Sequence, residues 1–266
     1  MKERILSLVS PEYPWKENFH WLEETGSTND DLKALARQGA PHGTVLIADR
    51  QSGGHGRMGR SFHSPGGVGI YFSILLRPQC GPGELMHLTC ATAVAMCDAV
   101  ENVIGLRPEI KWTNDLVHGK RKLGGILTEL GLSPRGGVDY AIIGIGINCC
   151  HREEDFPEEI RSIAASLSMV TGRDIDRAKV AAAMMEALHR MDKNLLSEKT
   201  AILNAYRKDC ITIGQEVSLL RVGEPVRHGK AVDMDDEGAL IVKFADGHRE
   251  TVNSGEVSVR GMYGYL

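Results

Sequence analysis

The chain has 266 residues, room for one large domain or one plus a small one at roughly 100–200 residues per domain. Hydrophobic residues make up 42% and charged residues 25%, which excludes a fibrous or extensively disordered chain and allows a sizeable core. The formal net charge of −4 argues against a protein that lives on nucleic acid, and no run approaches the ~18 apolar residues of a membrane span.

In chain order, the stretch from Ile5 to Val9 ends at Ser10 and Pro11. It is too short for the core of a secretion signal, so a cytoplasmic protein is expected. Thr28 is placed to cap a helix, with Asp31 in its first turn, Leu32, Leu35 and Ala36 at helical spacing, and Gly39 as the stop. Residues 44–48 (TVLIA) predict a strand, 49–69 a loop and 69–76 (GIYFSILL) a buried strand. Residues 84–103, rich in Ala, Met and Leu, predict a core helix. Two strands are expected within 109–130 around a turn at His118-Gly119, and an apolar strand with two glycines over 140–148. Residues 157–170 and 174–210 predict two helices. From Thr212 on, short Val- and Leu-rich runs are broken by Gly223, Asp235-Asp236-Glu237-Gly238 and Asp246-Gly247, as in a small antiparallel β domain. The expected organisation is α+β, a mixed sheet with helices over residues 1–210, followed by a small β-barrel over 211–266. Six cysteines (80, 90, 97, 149, 150 and 210) form no CxxC pair and read as reduced, mostly buried thiols.

Three stretches carry chemistry. The first is 50–62. Residues 50–83 contain no Asp or Glu but hold Arg50, Arg57, Arg60 and Arg77, a local positive field in an acidic chain. Glycines 53, 54, 56 and 59 let the backbone approach a ligand and turn N–H groups to an anion, and the arginines add forked donors. Gly54, Gly56 and Gly59 match GxGxxG formally, but no helix can open at Arg60-Ser61-Phe62-His63-Ser64-Pro65. No acid follows until Glu84, so a dinucleotide site is rejected.

The second stretch is Lys111-Trp112-Thr113-Asn114-Asp115, followed by Arg121-Lys122-Leu123-Gly124-Gly125-Ile126-Leu127. Asp115 lies among cations and is a candidate Mg²⁺ ligand beside nucleotide phosphates. Lys122 enters a strand-like run, where its charge needs a partner or an anionic ligand. A surface hairpin is the competing reading, and Trp112 reads as core. The third stretch is Gly144-Ile145-Gly146-Ile147-Asn148. Its glycines leave room either for a flat ligand or for tight packing of a helix, and Asn148 can recognise a base or amide. GxSxG, HExxH and Walker A patterns are absent from the sequence.

Together these pieces, with Gly26-Ser27-Thr28-Asn29 before them and Gly255-Glu256-Val257-Ser258-Val259-Arg260 after them, resemble the biotin–protein ligases, in order and over most of the chain. The resemblance implies a ligase-type catalytic domain with an SH3-like C-terminal barrel. It also implies a reaction: biotin and ATP give biotinyl-5′-adenylate, with Mg²⁺ as cofactor, and biotin then passes to a lysine of a carboxylase's biotin carrier domain. It assigns Ser27, Thr28, Asn29, Gln51, Gly54, His55, Gly56, Arg57, Lys122 and Gly125 to biotin. Arg57, Arg60, Phe62, Lys111, Asn114, Lys122 and Asn148 fall to ATP and the adenylate, with Lys122, Arg57 and Asp115 catalytic. His55 and Phe62 stand where the family usually has Arg and Trp, and Thr113 replaces a common Pro. Only about 22 residues precede the motifs, too few for the DNA-binding module that some members carry, so no DNA partner is expected. A homodimer is left open. The competing functions are a lipoate or octanoate ligase of related fold and a catalytically weak nucleotide-binding regulator.

Overall fold

The computed structural model describes residues 1–134, 136–221, 223–253 and 258–261, the last four as backbone alone. The N-terminal helix α1 (Lys2–Leu8) leads into β1 (Phe19–Thr25), α2 (Thr28–Arg37), β2 (Thr44–Gln51) and β3 (Gly69–Leu76). Helix α3 (Leu88–Ile104) is followed by β4 (Glu109–Lys111), β5 (Asp115–His118), β6 (Arg121–Leu132) and β7 (Val138–Asn148). Helices α4 (Glu158–Arg161), α5 (Leu167–Thr171), α6 (Arg177–Asn194) and α7 (Lys199–Asp209) complete the larger part. Strands β8 (Glu216–Leu220), β9 (Arg227–Met234), β10 (Leu240–Lys243), β11 (Arg249–Val252) and β12 (Ser258–Gly261) form the smaller one.

The first seven strands make one mixed sheet in the order β1-β2-β3-β7-β6-β5-β4, with only β1 and β2 parallel. Side chains alternate across it. Ile70, Phe72, Ile74 and Leu76 of β3 and Ile143, Ile145 and Ile147 of β7 face the main core, built with α1, α3, α6 and α7. The opposite face carries a small cluster under α2, with Leu32 and Ala36 on Leu46, Leu75, Tyr140 and Ile142. Along β7 this second face reads Tyr140, Ile142, Gly144, Gly146, Asn148. The side chains vanish where the apolar cluster ends, and that is where the site lies.

The predicted strand over 69–76 is β3 residue for residue, buried throughout. Four expectations need correction. Ser27, not Thr28, is the N-cap of α2; Thr28 is the first helical residue and its side chain points elsewhere, as described below. The core helix starts at Leu88, after a 3-10 turn at Pro82–Leu85. Residues 109–130 hold parts of three strands, and the β5–β6 hairpin turns at Gly119-Lys120, both with positive φ (53° and 69°). Each of the two late helices is broken in two. Residues 163–165 leave helical geometry to run beside β6, where the Lys122 N–H donates to Ile163 O and the Ala165 N–H to Lys122 O. The Ser166 hydroxyl then caps α5. Asp176 caps α6, and α7 restarts at Lys199.

The five later strands form an antiparallel sheet in the order β11-β10-β9-β8-β12. Of the sequence piece at 255–260, residues 255–257 lie outside the described residues; 258–261 pair with β8. The turn before β10 lies on the larger part. The Trp112 indole N–H donates to Gly238 O at 2.9 Å, and Arg207 of α7 donates to Met234 O. Trp112 is buried, as expected of a core residue. All six cysteines are free thiols. Burial pushes the pKa values of Cys90, Cys97, Cys149 and Cys210 upward, keeping them protonated and inert.

Candidate functional site

A cavity of about 600 Å³ opens on the second face of the sheet. Every residue that the sequence assigns to biotin, to the nucleotide or to the metal lines it, except Gly54. Gly54 lies beneath the wall, where a Cβ would fall 2.6 Å from Ser64 Oγ and 2.9 Å from Phe62 O. No side chain fits there, so the glycine is needed for packing.

One end of the cavity is neutral and hydrogen-bonded in a fixed order. The Thr28 N–H and hydroxyl both donate to Gln51 Oε1, at 2.9 and 3.0 Å, which fixes the Gln51 amide. Gln51 Nε2 donates to Ser64 Oγ, and the Ser64 hydroxyl to Phe62 O. The Ser73 hydroxyl lies 2.8 Å from Thr28 Oγ1 and 2.6 Å from Asn29 Oδ1. Asn29 Nδ2 donates to Glu129 Oε2 at 2.9 Å. Ser27, Thr28, Asn29 and Ser73 are all buried. Ser73, Ser64 and Glu129 were not singled out in the sequence. Ser73 is nevertheless visible as a lone small polar residue inside an apolar strand.

The other end is charged. Lys122 Nζ meets Asp115 Oδ1 at 2.5 Å, and Gly125 alongside leaves space for the ammonium, since a Cβ there would sit 3.1 Å from Nζ. Arg57 donates to Asn114 Oδ1 at 3.1 Å, and Asn114 Nδ2 to Ile126 O. Burial lowers the Arg57 pKa, Asp115 opposes that, and the charge of Arg60 adds to it. Lys111 is buried in the wall. Asn148 Nδ2 donates to Lys122 O and Ala165 O, tying the start of β6 to the segment that crosses it. Phe156, Ile160, Ile163 and Ala164 add an apolar wall to the same cavity. Half of that wall, Ile163 and Ala164, lies where the predicted 157–170 helix is broken, a break that local periodicity does not show.

Three functional expectations change. The four arginines of 50–83 do not share a site: Arg57 and Arg60 line the cavity, Arg50 pairs with Glu24, and Arg77 donates to the Ala36 and Ala40 carbonyls that end α2. The N–H groups of Gly53 and Gly56 do not face an anion, because they donate to Gly26 O and Arg60 O. The room beside Gly144 and Gly146 is filled from within the chain. A Cβ on Gly144 would lie 2.2 Å from Asn29 Oδ1, and one on Gly146 2.4 Å from the Phe62 ring. Tight packing against a helix is the right reading for Gly144.

The family model for the biotin/lipoate A/B protein ligase family matches residues 21–148, and that for the biotin protein ligase C terminal domain matches 212–260. The chain is 36% identical over 222 residues to the bifunctional ligase/repressor BirA of Bacillus subtilis, covering 83% of this chain and 68% of that protein. It is 31% identical over 241 residues to the biotin–[acetyl-CoA-carboxylase] ligase of Mycobacterium tuberculosis, covering 89% and 86%. The biotin protein ligase from Aquifex aeolicus in complex with biotin and ATP superposes with a TM-score of 0.77 at 33% identity, covering 92% of this chain and 99% of that one. The chain belongs to the biotin protein ligases of this family.

Proposed function

We propose that the chain joins biotin to protein in two steps. The biotin carboxylate attacks the α-phosphorus of ATP, forming biotinyl-5′-adenylate and releasing pyrophosphate. The amine of a lysine on a carboxylase's biotin carrier domain then attacks the acyl carbon and releases AMP. The observation that carries this reading is the pairing of a neutral pocket with a cationic one in a single cavity. A ureido ring needs fixed donors and acceptors, while a carboxylate meeting a phosphate needs positive charge held in place.

In this reading Thr28, Asn29 and Gln51 hold the ureido group, with Ser27 beside them, and Lys122 bridges the biotin carboxylate and the α-phosphate. Arg57 and Arg60 neutralise phosphate charge as it shifts, Lys111 and Asn114 shape the nucleotide side, and Phe62 walls it. The loop at 53–59 closes over the adenylate, with His55 and Gly56 on its inner side. Asp115 would hold Mg²⁺ as its one protein carboxylate, a donor set that fits a hard cation sharing phosphate oxygens; the ion supplies further charge neutralisation when bound. Residues 1–210 hold both substrates, and 211–266 back the 111–115 segment through Gly238. The enzyme is read as cytoplasmic and as acting on protein rather than DNA, the second supported by the net charge of −4.

The test is ATP–pyrophosphate exchange with biotin, lipoate or octanoate offered separately. Exchange with biotin alone is expected. Exchange with lipoate or octanoate alone would move the substrate to the sister branch, and tight biotin binding without exchange would favour a regulator.

A further inference from the structure

We infer that Glu129, which does not line the cavity, is the positioning residue that sets the hydrogen-bond polarity of the pocket's neutral end. This rests on the reading of that end as the ureido site. The amide of Asn29 is nearly symmetric in shape, so its two ends are told apart only by their partners. One partner, Ser73, is a hydroxyl and can serve either end, donating to Oδ1 or accepting from Nδ2. The other, Glu129, is a carboxylate and accepts only. A flipped Asn29 would set oxygen against oxygen. Glu129 alone therefore decides the orientation.

The consequence spreads one bond further. With Asn29 Oδ1 turned to Ser73, the Ser73 proton goes to that oxygen at 2.6 Å. The Thr28 proton is already committed to Gln51 Oε1, whose own orientation the Thr28 N–H fixes. Thr28 Oγ1, the hydroxyl oxygen of the two that lines the cavity, keeps a lone pair for one N–H donor of a cyclic urea. If Asn29 flipped, the Ser73 proton would turn to Thr28 Oγ1 at 2.8 Å and consume an acceptor. Lys33 holds Glu129 in place: its ammonium donates to Glu129 Oε1 at 3.0 Å and also pairs with Asp30. Burial pulls the Lys33 pKa down, but the bonds to Asp30 and Glu129 outweigh it and raise it, so the clamp stays charged.

The experiment is Glu129→Gln in the full chain, a change of almost no volume. Lys33 only donates, so it would keep the oxygen of the substituted amide and turn the amide's NH₂ group onto Asn29, driving the flip. The expected result is a rise of about tenfold in KM for biotin. We expect kcat within twofold, KM for ATP unchanged and thermal stability nearly unchanged. The double variant Glu129→Gln with Asn29→Asp moves the acceptor-only group to the other partner, and it recovers most of the biotin affinity. An unchanged KM for biotin overturns the inference. So does a loss shared equally by biotin, ATP and stability, which would mark a structural role. If the wild-type protein shows no biotin-dependent exchange at all, the ureido reading fails first, and the inference with it.

Discussion

The two ends of the cavity solve opposite problems. At the neutral end the Thr28, Asn29, Gln51, Ser64 and Ser73 side chains have partners that are uncharged or, like Glu129, set back behind the wall. Such an end recognises shape and bond direction, and it rejects a ligand by leaving buried groups unpaired. At the charged end Lys122, Asp115, Arg57, Arg60 and Lys111 converge on a space walled by apolar side chains. Charge held there in partial burial costs desolvation, seen in the lowered Arg57 pKa, and in the proposed reading it would stabilise a reacting phosphate without rearranging. In the proposed reading one cavity thus separates choosing a substrate from activating it. Damage to the neutral end belongs in KM for the acid, and damage to the charged end in the rate.

The largest effect expected is from Lys122→Ala, which removes the ammonium 2.5 Å from Asp115. Adenylate formation, followed by pyrophosphate exchange, drops about 10³-fold while thermal stability changes little. Equal losses of both would make Lys122 structural and erase the distinction between the ends. Next comes a pair of neighbours on β7. Gly144→Ala displaces Asn29 and raises KM for biotin about 50-fold, an overpacking cost within the usual 1–3 kcal/mol. Gly146→Ala displaces Phe62 and raises KM for ATP instead. The same KM shift from both glycines would break the comparison.

A third prediction concerns the apolar wall. His151 is fully buried, neither ring nitrogen is hydrogen-bonded among the described residues, and its ring stacks on Phe156 at 4.8 Å between centroids. Burial, with the charge of His63 next, pushes its pKa down to about 4. That is below the unfolded value, so the contribution is full above pH ~6.5 and is lost as pH falls toward 4, at about 1.4 kcal/mol per unit. Urea unfolding at pH 7 and pH 5 should show the wild-type protein losing about 2 kcal/mol more than His151→Phe. The smallest effect is His55→Arg. His55 Nε2 lies 4.0 Å from Asp30 Oδ1, and a permanent charge there lifts kcat/KM for ATP only about two- to threefold.

The parts of the site that were legible in the sequence are those whose chemistry is local. The 50–62 loop, the 111–115 segment and Lys122 announce themselves by glycine and charge density within a few positions. What stayed hidden depends on register across the sheet. Tyr71 pairs with Gly146, Ser73 with Gly144 and Leu75 with Ile142, while Gly125, Leu127 and Glu129 continue those rows on the other side. A lone Ser in β3, or a Glu after Thr128 in β6, acquires meaning only when such rows are known. The β7 glycines were ambiguous for the same reason, since what covers them comes from Asn29 and Phe62, far earlier in the chain. The helix expected over 157–170 failed because Ile163 O and the Ala165 N–H bond to the backbone of Lys122 in β6, a tertiary competition that local periodicity does not record.

The indole hydrogen bond from Trp112 to Gly238 gives the small sheet a place in the enzyme's architecture. Trp112 sits between Lys111 and the Asn114–Asp115 pair, and its indole acceptor comes from the other end of the chain. Severing the chain near residue 210 would strand a buried donor, at about 1–3 kcal/mol, behind the nucleotide side. The smaller sheet thus braces the 111–115 segment from behind, and in the proposed reading shortening the protein at that seam would remove part of the machine rather than an appendage.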